Sequence, residues 1–113
     1  MSEQSRILVV DDEEAHLQTL ERLFEREGFD VLSASDGQEA LDLVRSEPLN
    51  LVITDLMMPE VDGMELLKMV KTLKPETEVI LMTAFGTVER AVKGMKEGAY
   101  DFVSKPIKRA QIL

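Results

Sequence analysis

Four places along the chain put a chemically competent side chain at or just beyond the end of an apolar run. Asp11 and Asp12 follow Ile7-Leu8-Val9-Val10, Asp55 follows Leu51-Val52-Ile53-Thr54, and Thr83 follows Val79-Ile80-Leu81-Met82. Lys105 comes shortly after Phe102-Val103. If the runs are parallel strands, their carboxyl ends share one edge of a sheet and these residues meet in one cleft. Three carboxylates gathered there repel one another, and each unpaired ion is costly to desolvate. Positive charge must compensate. Mg²⁺ suits the donor set, because it prefers oxygen ligands and keeps water or phosphate oxygens in its octahedral shell. Lys105 adds a second, fixed positive charge. A carboxylate that meets a phosphoryl donor in such a site is a nucleophile able to form an aspartyl phosphate. Cation and lysine would stabilise the charge on the transferring group, and Thr83 offers it a hydroxyl.

Each residue alone also has a plain structural explanation. Asp12 before Glu13-Glu14 reads as a helix cap with acids favoured by the helix dipole. Asp55 before Leu56-Met57-Met58-Pro59 reads as a loop acid, Thr83 as a turn residue, and Lys105 as a solvated lysine. Those explanations together require four coincidences at the same ends of separate strands.

The elements that must position these groups alternate. Ile7–Val10, Leu51–Ile53 and Val79–Met82 are continuously apolar, as strands buried on both faces are. Val31-Leu32-Ser33-Ala34 and Phe102-Val103 are shorter or mixed, which suits sheet edges. Between them lie helical stripes: Leu17, Leu20, Leu23 and Phe24, ended by Gly28; Ala40, Leu41 and Val44 after Asp36-Gly37; Leu66, Leu67, Val70 and Leu73, ended by Pro75; and Val88, Ala91, Val92 and Met95, ended by Gly98. Residues 108–113 read as the opening of a fifth helix that stops early. The pattern predicts an α/β fold: an open, doubly wound, five-stranded parallel sheet with helices on both faces and the site beyond the strands' carboxyl ends.

The 113 residues suit one domain. A hydrophobic fraction of 44% supports a core, and with only 4% aromatics the aliphatic residues and seven Met must fill it. The chain has no Cys, which removes disulfides and thiolate metal sites from consideration. Its formal net charge of −9 argues against direct nucleic-acid contact by these residues. No segment reads as a signal peptide or a membrane span, so a cytoplasmic location and no membrane partner are expected.

These residues resemble the receiver domain of bacterial two-component response regulators over nearly the whole chain. The matching pieces are Ile7-Leu8-Val9-Val10-Asp11-Asp12-Glu13, Leu51-Val52-Ile53-Thr54-Asp55-Leu56-Met57-Met58-Pro59 with Asp62-Gly63, Met82-Thr83-Ala84, Gly98-Ala99-Tyr100-Asp101-Phe102 and Lys105-Pro106. The resemblance implies a flavodoxin-like strand order, 2-1-3-4-5. It makes Asp55 the phosphoacceptor, with Mg²⁺ held by Asp12, Asp11, Asp55 and the Met57 carbonyl. Thr83 becomes the switch hydroxyl, Met57 and the Ala84 amide phosphoryl contacts, and Lys105 the partner of the phosphoryl group. Lys105-Pro106 becomes a cis peptide, and Phe102 the rotating aromatic. Phe102 lacks the hydroxyl of the tyrosine often found there, and Tyr100 does not replace it. The implied partners are a sensor histidine kinase, a C-terminal effector and a second copy in a homodimer. The stretches 82–87 and 98–102 look most like receivers joined to ATPase activators of sigma-54 transcription, with an AAA+ ATPase and a DNA-binding domain beyond this fragment.

Other functions fit less well. A phosphatase with an aspartate nucleophile usually carries a second acid two residues later as general acid, where this chain has Met57. An interaction module that is never phosphorylated would be expected to lack an acid or the lysine. A flavin needs a phosphate cradle after the first strand, and Asp11-Asp12-Glu13-Glu14 would repel it. His16, the single histidine, is expected at the surface or rim, and the methionines are expected to pack.

Overall fold

The computed structural model describes residues 5–84 and 88–105. Five strands alternate with four helices: β1 Arg6–Val10, α1 Glu14–Arg26, β2 Asp30–Ala34, α2 Gly37–Ser46, β3 Leu51–Asp55, α3 Gly63–Leu73, β4 Glu78–Thr83, α4 Val88–Lys96 and β5 Asp101–Ser104. The strands form one parallel sheet in the order β2-β1-β3-β4-β5. The continuously apolar runs are its three inner strands and the mixed runs its edges, as the patterning predicts. The Val88 side chain, residues 85–87, Pro106 with its peptide bond, and the fifth-helix start at 108–113 lie outside the described residues.

Alternation along the strands builds two cores, one on each face of the sheet. Ile7, Val9, Ile53, Ile80, Met82 and Val103 pack with Leu17, Leu20 and Phe24 of α1. Leu8, Val10, Val52, Val79 and Leu81 pack on the opposite face with α2, α3 and Ala91 of α4. Helices therefore cover both faces, and the central strands are buried on both sides.

Local chemistry sets the helix ends. The Asp36 and Asp62 side chains accept the backbone N–H groups of Glu39 at 2.7 Å and Glu65 at 3.0 Å, which caps α2 and α3. Gly28 and Gly98 follow α1 and α4 at φ +93 and +109, the left-handed region that a side chain disfavours. Two stripes differ from expectation. Leu73 is exposed, because it ends α3. Val92 and Met95 also face outward, and α4 instead presents Ala91 and Gly94 to the sheet. A Cβ built on Gly94 would meet Leu81 Cδ1 at 2.3 Å, so this helix packs too closely for larger residues.

Close approach also governs the end of β3. A Cβ on Gly63 would lie 2.4 Å from the Asp55 carbonyl oxygen and 2.7 Å from the Leu56 Cα, both backbone atoms that have little freedom to move. The first residue of α3 thus rests directly on the backbone that carries Asp55. Gly63→Ala is expected to cost about 1–3 kcal/mol through overpacking. Urea unfolding followed by circular dichroism checks this, and an unchanged midpoint would contradict the packing argument.

Candidate functional site

The parallel register brings the carboxyl ends of β1, β3, β4 and β5 to one edge. Asp11 leaves β1 with its N–H donated to the Ala34 carbonyl at 3.2 Å, so it remains tied to the sheet. Asp55 is the last residue of β3 and pairs with Met82 of β4. Lys105 leaves β5 with its N–H donated to the Thr83 carbonyl at 2.8 Å. These ties aim three side chains from distant parts of the chain at one point. Lys105 Nζ lies 3.0 Å from Asp11 Oδ2 and 3.0 Å from Asp55 Oδ2.

Asp11, Asp12 and Asp55 each offer a carboxylate oxygen, and these oxygens lie within 4.8 Å of one another. Asp11 is 0% and Asp55 6% exposed, whereas Asp12 faces solvent. Asp12 does not cap α1: the N-cap is Glu13, and its side chain makes no capping bond. The plain explanation for Asp12 is therefore not met. A set of hard oxygen donors with one open, solvent-facing member fits a divalent cation that keeps water in its shell.

The two buried acids are satisfied unequally. Asp11 Oδ1 accepts the Glu13 N–H at 2.9 Å, while Oδ2 receives His16 Nδ1 as well as Lys105. Burial pushes the Asp11 carboxyl up, but hydrogen bonds from His16, Glu13 and Lys105 outweigh it and hold the group below its ordinary value. Among the described residues Asp55 has fewer donors: Lys105 on Oδ2, and the Met57 N–H on Oδ1 at 3.3 Å. Burial prevails there, helped by the neighbouring Asp11 charge, and the Asp55 carboxyl lies above its ordinary value. Burial pulls Lys105 down, but the two carboxylates raise it on balance.

The remaining candidates surround this centre. Thr83 is buried, and its hydroxyl donates to the Val103 carbonyl at 3.4 Å, toward β5 rather than toward Asp55. Ala84 follows it and is exposed, and Phe102 is half-buried against the core on the α2–α4 face. Met57 is 47% exposed beside the acids. Tyr100 is exposed one residue before β5. Two contacts escaped the sequence reading. His16 lies at the rim rather than on the open surface: its side chain is 12% exposed and rests against Asp11. Arg90 of α4 reaches the loop after β3, with Nη1 2.8 Å from Met57 Sδ and Nη2 3.1 Å from Asp62 Oδ2. Nothing in its spacing marked it.

The raised Asp55 carboxyl has a consequence for stability. Such a group stabilises the fold fully only below its unfolded value, about 3.9, and that contribution is lost as pH rises through the folded value. Asp55→Asn, an uncharged isostere, is therefore expected to raise the Tm of the metal-free protein at neutral pH. The gain should vanish below about pH 4. Thermal melts of both proteins from acid to neutral pH check this, and equal Tm values at neutral pH would contradict it.

Comparison with known proteins accords with this geometry. The family model for the response regulator receiver domain matches residues 7–113. The chain is 43% identical over 105 residues to the transcriptional regulatory protein ZraR of Klebsiella oxytoca, covering 93% of this chain and 24% of that protein. It thus spans about a quarter of that relative's length. A crystal structure of a response regulator receiver domain protein from Clostridium thermocellum superposes with a TM-score of 0.91 at 36% identity, covering 96% of this chain and 87% of that one. A response regulator from Burkholderia pseudomallei, solved with a phosphorylated aspartic acid, a calcium ion and citrate, gives a TM-score of 0.88 at 30% identity, covering 96% and 64% of the two chains. The chain belongs to the response regulator receiver domain family, a class of signalling modules.

Proposed function

We propose that Asp55 accepts a phosphoryl group from the phosphohistidine of a sensor kinase and that the resulting charge switches the surface formed by α4, β5 and the fifth helix expected from residues 108–113. The observation that carries this reading is the convergence of Asp11, Asp12 and Asp55 with Lys105 Nζ 3.0 Å from both buried acids. In the transfer, an Asp55 carboxylate oxygen attacks phosphorus in line, the O–P bond forms, and the P–N bond breaks. The departing imidazole keeps the electron pair and takes a proton. Asp55 suits the nucleophile's role because it holds the fewer donors of the two buried acids and is the more basic. Mg²⁺, held by the carboxylates of Asp11, Asp12 and Asp55 and the Met57 carbonyl, would supply neutralisation of the charge on the transferring phosphoryl group. Lys105 would leave the carboxylates for a phosphoryl oxygen, and the Ala84 amide would donate to another.

The new phosphate adds about −1.5 to −2 charges at neutral pH. The Thr83 hydroxyl would turn from the Val103 carbonyl toward it, and Phe102, already half-buried, would pack inward. That change biases the α4–β5 face, where Val92, Met95 and Tyr100 lie exposed, toward an effector or a second copy. Self-phosphorylation and slow self-dephosphorylation would be the only reactions this domain catalyses. The relative that spans about four times this length supports further effector domains in the intact protein. The resemblance of residues 82–87 and 98–102 supports an effector of the sigma-54 activator class, acting in the cytoplasm. No described helix is long and apolar enough to cross a membrane.

Incubation with Mg²⁺ and acetyl phosphate, followed by intact-protein mass spectrometry, tests the reading. One phosphoryl adduct is expected on the wild-type chain and none on Asp55→Asn. Lys105→Ala should slow the transfer by about 10²-fold, the order found when one preorganised donor to a developing charge is lost. Absence of an adduct, or an adduct that persists in Asp55→Asn, would contradict the assignment. Rapid turnover of a small phosphate ester would instead favour a phosphatase.

A further inference from the structure

His16 is a half-buried polar group to which the proposed transfer gives no role. It stands in the first turn of α1, and its ring is 12% exposed. Nδ1 faces Asp11 Oδ2, while Nε2 is buried with no hydrogen-bond partner among the described residues. The two nitrogens together select one tautomer. A bare Nδ1 would oppose its lone pair to a carboxylate oxygen and leave a buried Nε2–H unpaired, which is the costlier arrangement on both sides. The proton therefore belongs on Nδ1, donated to Asp11.

Asp11 is fully buried and, among the described residues, receives three donors: the Glu13 N–H on Oδ1, and His16 and Lys105 on Oδ2. Two of the three are mounted at the start of α1. The third sits on a flexible stem, and the proposed transfer draws it away to the phosphoryl group. We infer that His16 is a positioning residue: its Nδ1–H fixes the Asp11 carboxylate for the divalent cation and keeps it satisfied when Lys105 departs. The inference rests on the reading that the three acids hold Mg²⁺. Hydrogen-bond donors to metal-ligating groups are typically worth about 10–100-fold in metal affinity. The Nδ2 of an asparagine occupies much the same place as the Nδ1 of a histidine, so Asn retains a donor, whereas Phe keeps the ring's volume without one.

Calorimetric titration of the unphosphorylated chain with Mg²⁺ tests this on wild type, His16→Phe and His16→Asn. The expected result is an affinity about 10-fold weaker in His16→Phe, largely restored in His16→Asn. The ¹⁵N shifts of the wild-type ring, measured without metal, should show Nδ1 protonated, and this measurement needs no variant to fold. Wild-type affinity in His16→Phe, or a bare Nδ1, overturns the role of His16 while leaving the Mg²⁺ reading intact. A wild-type chain that binds no Mg²⁺ overturns the metal reading and the inference with it.

Discussion

One ammonium group holds two buried carboxylates together at the edge of the sheet. Lys105 Nζ lies 3.0 Å from both Asp11 and Asp55, and the exposed Asp12 brings a third acid to the same point. If all three acids are charged, a single lysine leaves a local deficit of positive charge in a protein that is already at −9. The fold tolerates this unevenly. Asp11 is stabilised by donors from α1, whereas Asp55 is left above its ordinary value by burial and by its neighbour. An arrangement of this kind has room for a further cation, and it leaves Asp55 the more basic of the two buried acids. The chemistry proposed for the site is thus the way its own electrostatic imbalance is resolved.

Maintaining that imbalance needs a rigid frame. β1 and β3 are buried on both faces, so neither acid can withdraw without disturbing a core. Asp62 caps α3, and Gly63 lets that helix rest against the carbonyl of Asp55. Glu60, in the same loop, takes a left-handed conformation at φ +63, unusual for a residue with a side chain. Asp62 also receives Arg90 from α4, so the loop after β3 is held at its helix end and from across the site. On the α4 side small residues face the sheet, so that helix lies close against Leu81, and larger apolar residues face outward.

Much of this was legible in the residues alone. Strands buried on both faces must be apolar throughout, so the inner and edge strands separated cleanly. A parallel sheet then placed Asp11, Asp55, Thr83 and Lys105 at one edge without coordinates. Three features were not legible, each for a physical reason. The outward direction of Val92 and Met95 follows from how closely α4 approaches Leu81, a distance the helical period does not encode. The contact of His16 with Asp11 depends on how α1 leaves the end of β1, and a lone histidine on a polar turn carries no mark of that. The contact from Arg90 to Met57 and Asp62 joins elements about thirty residues apart through an ordinary surface arginine. Helix-to-helix geometry of this kind becomes visible only once the sheet has set the spacing.

The most direct test of the convergence is a crystal structure grown with Mn²⁺, a metal of similar ligand preference to Mg²⁺ whose anomalous scattering locates it without ambiguity. The account predicts one peak among Asp11, Asp12 and Asp55, ligated by carboxylate oxygens and the Met57 carbonyl, with Lys105 still beside it. A peak confined to other surface acids, or none among these three at a saturating concentration, would contradict it.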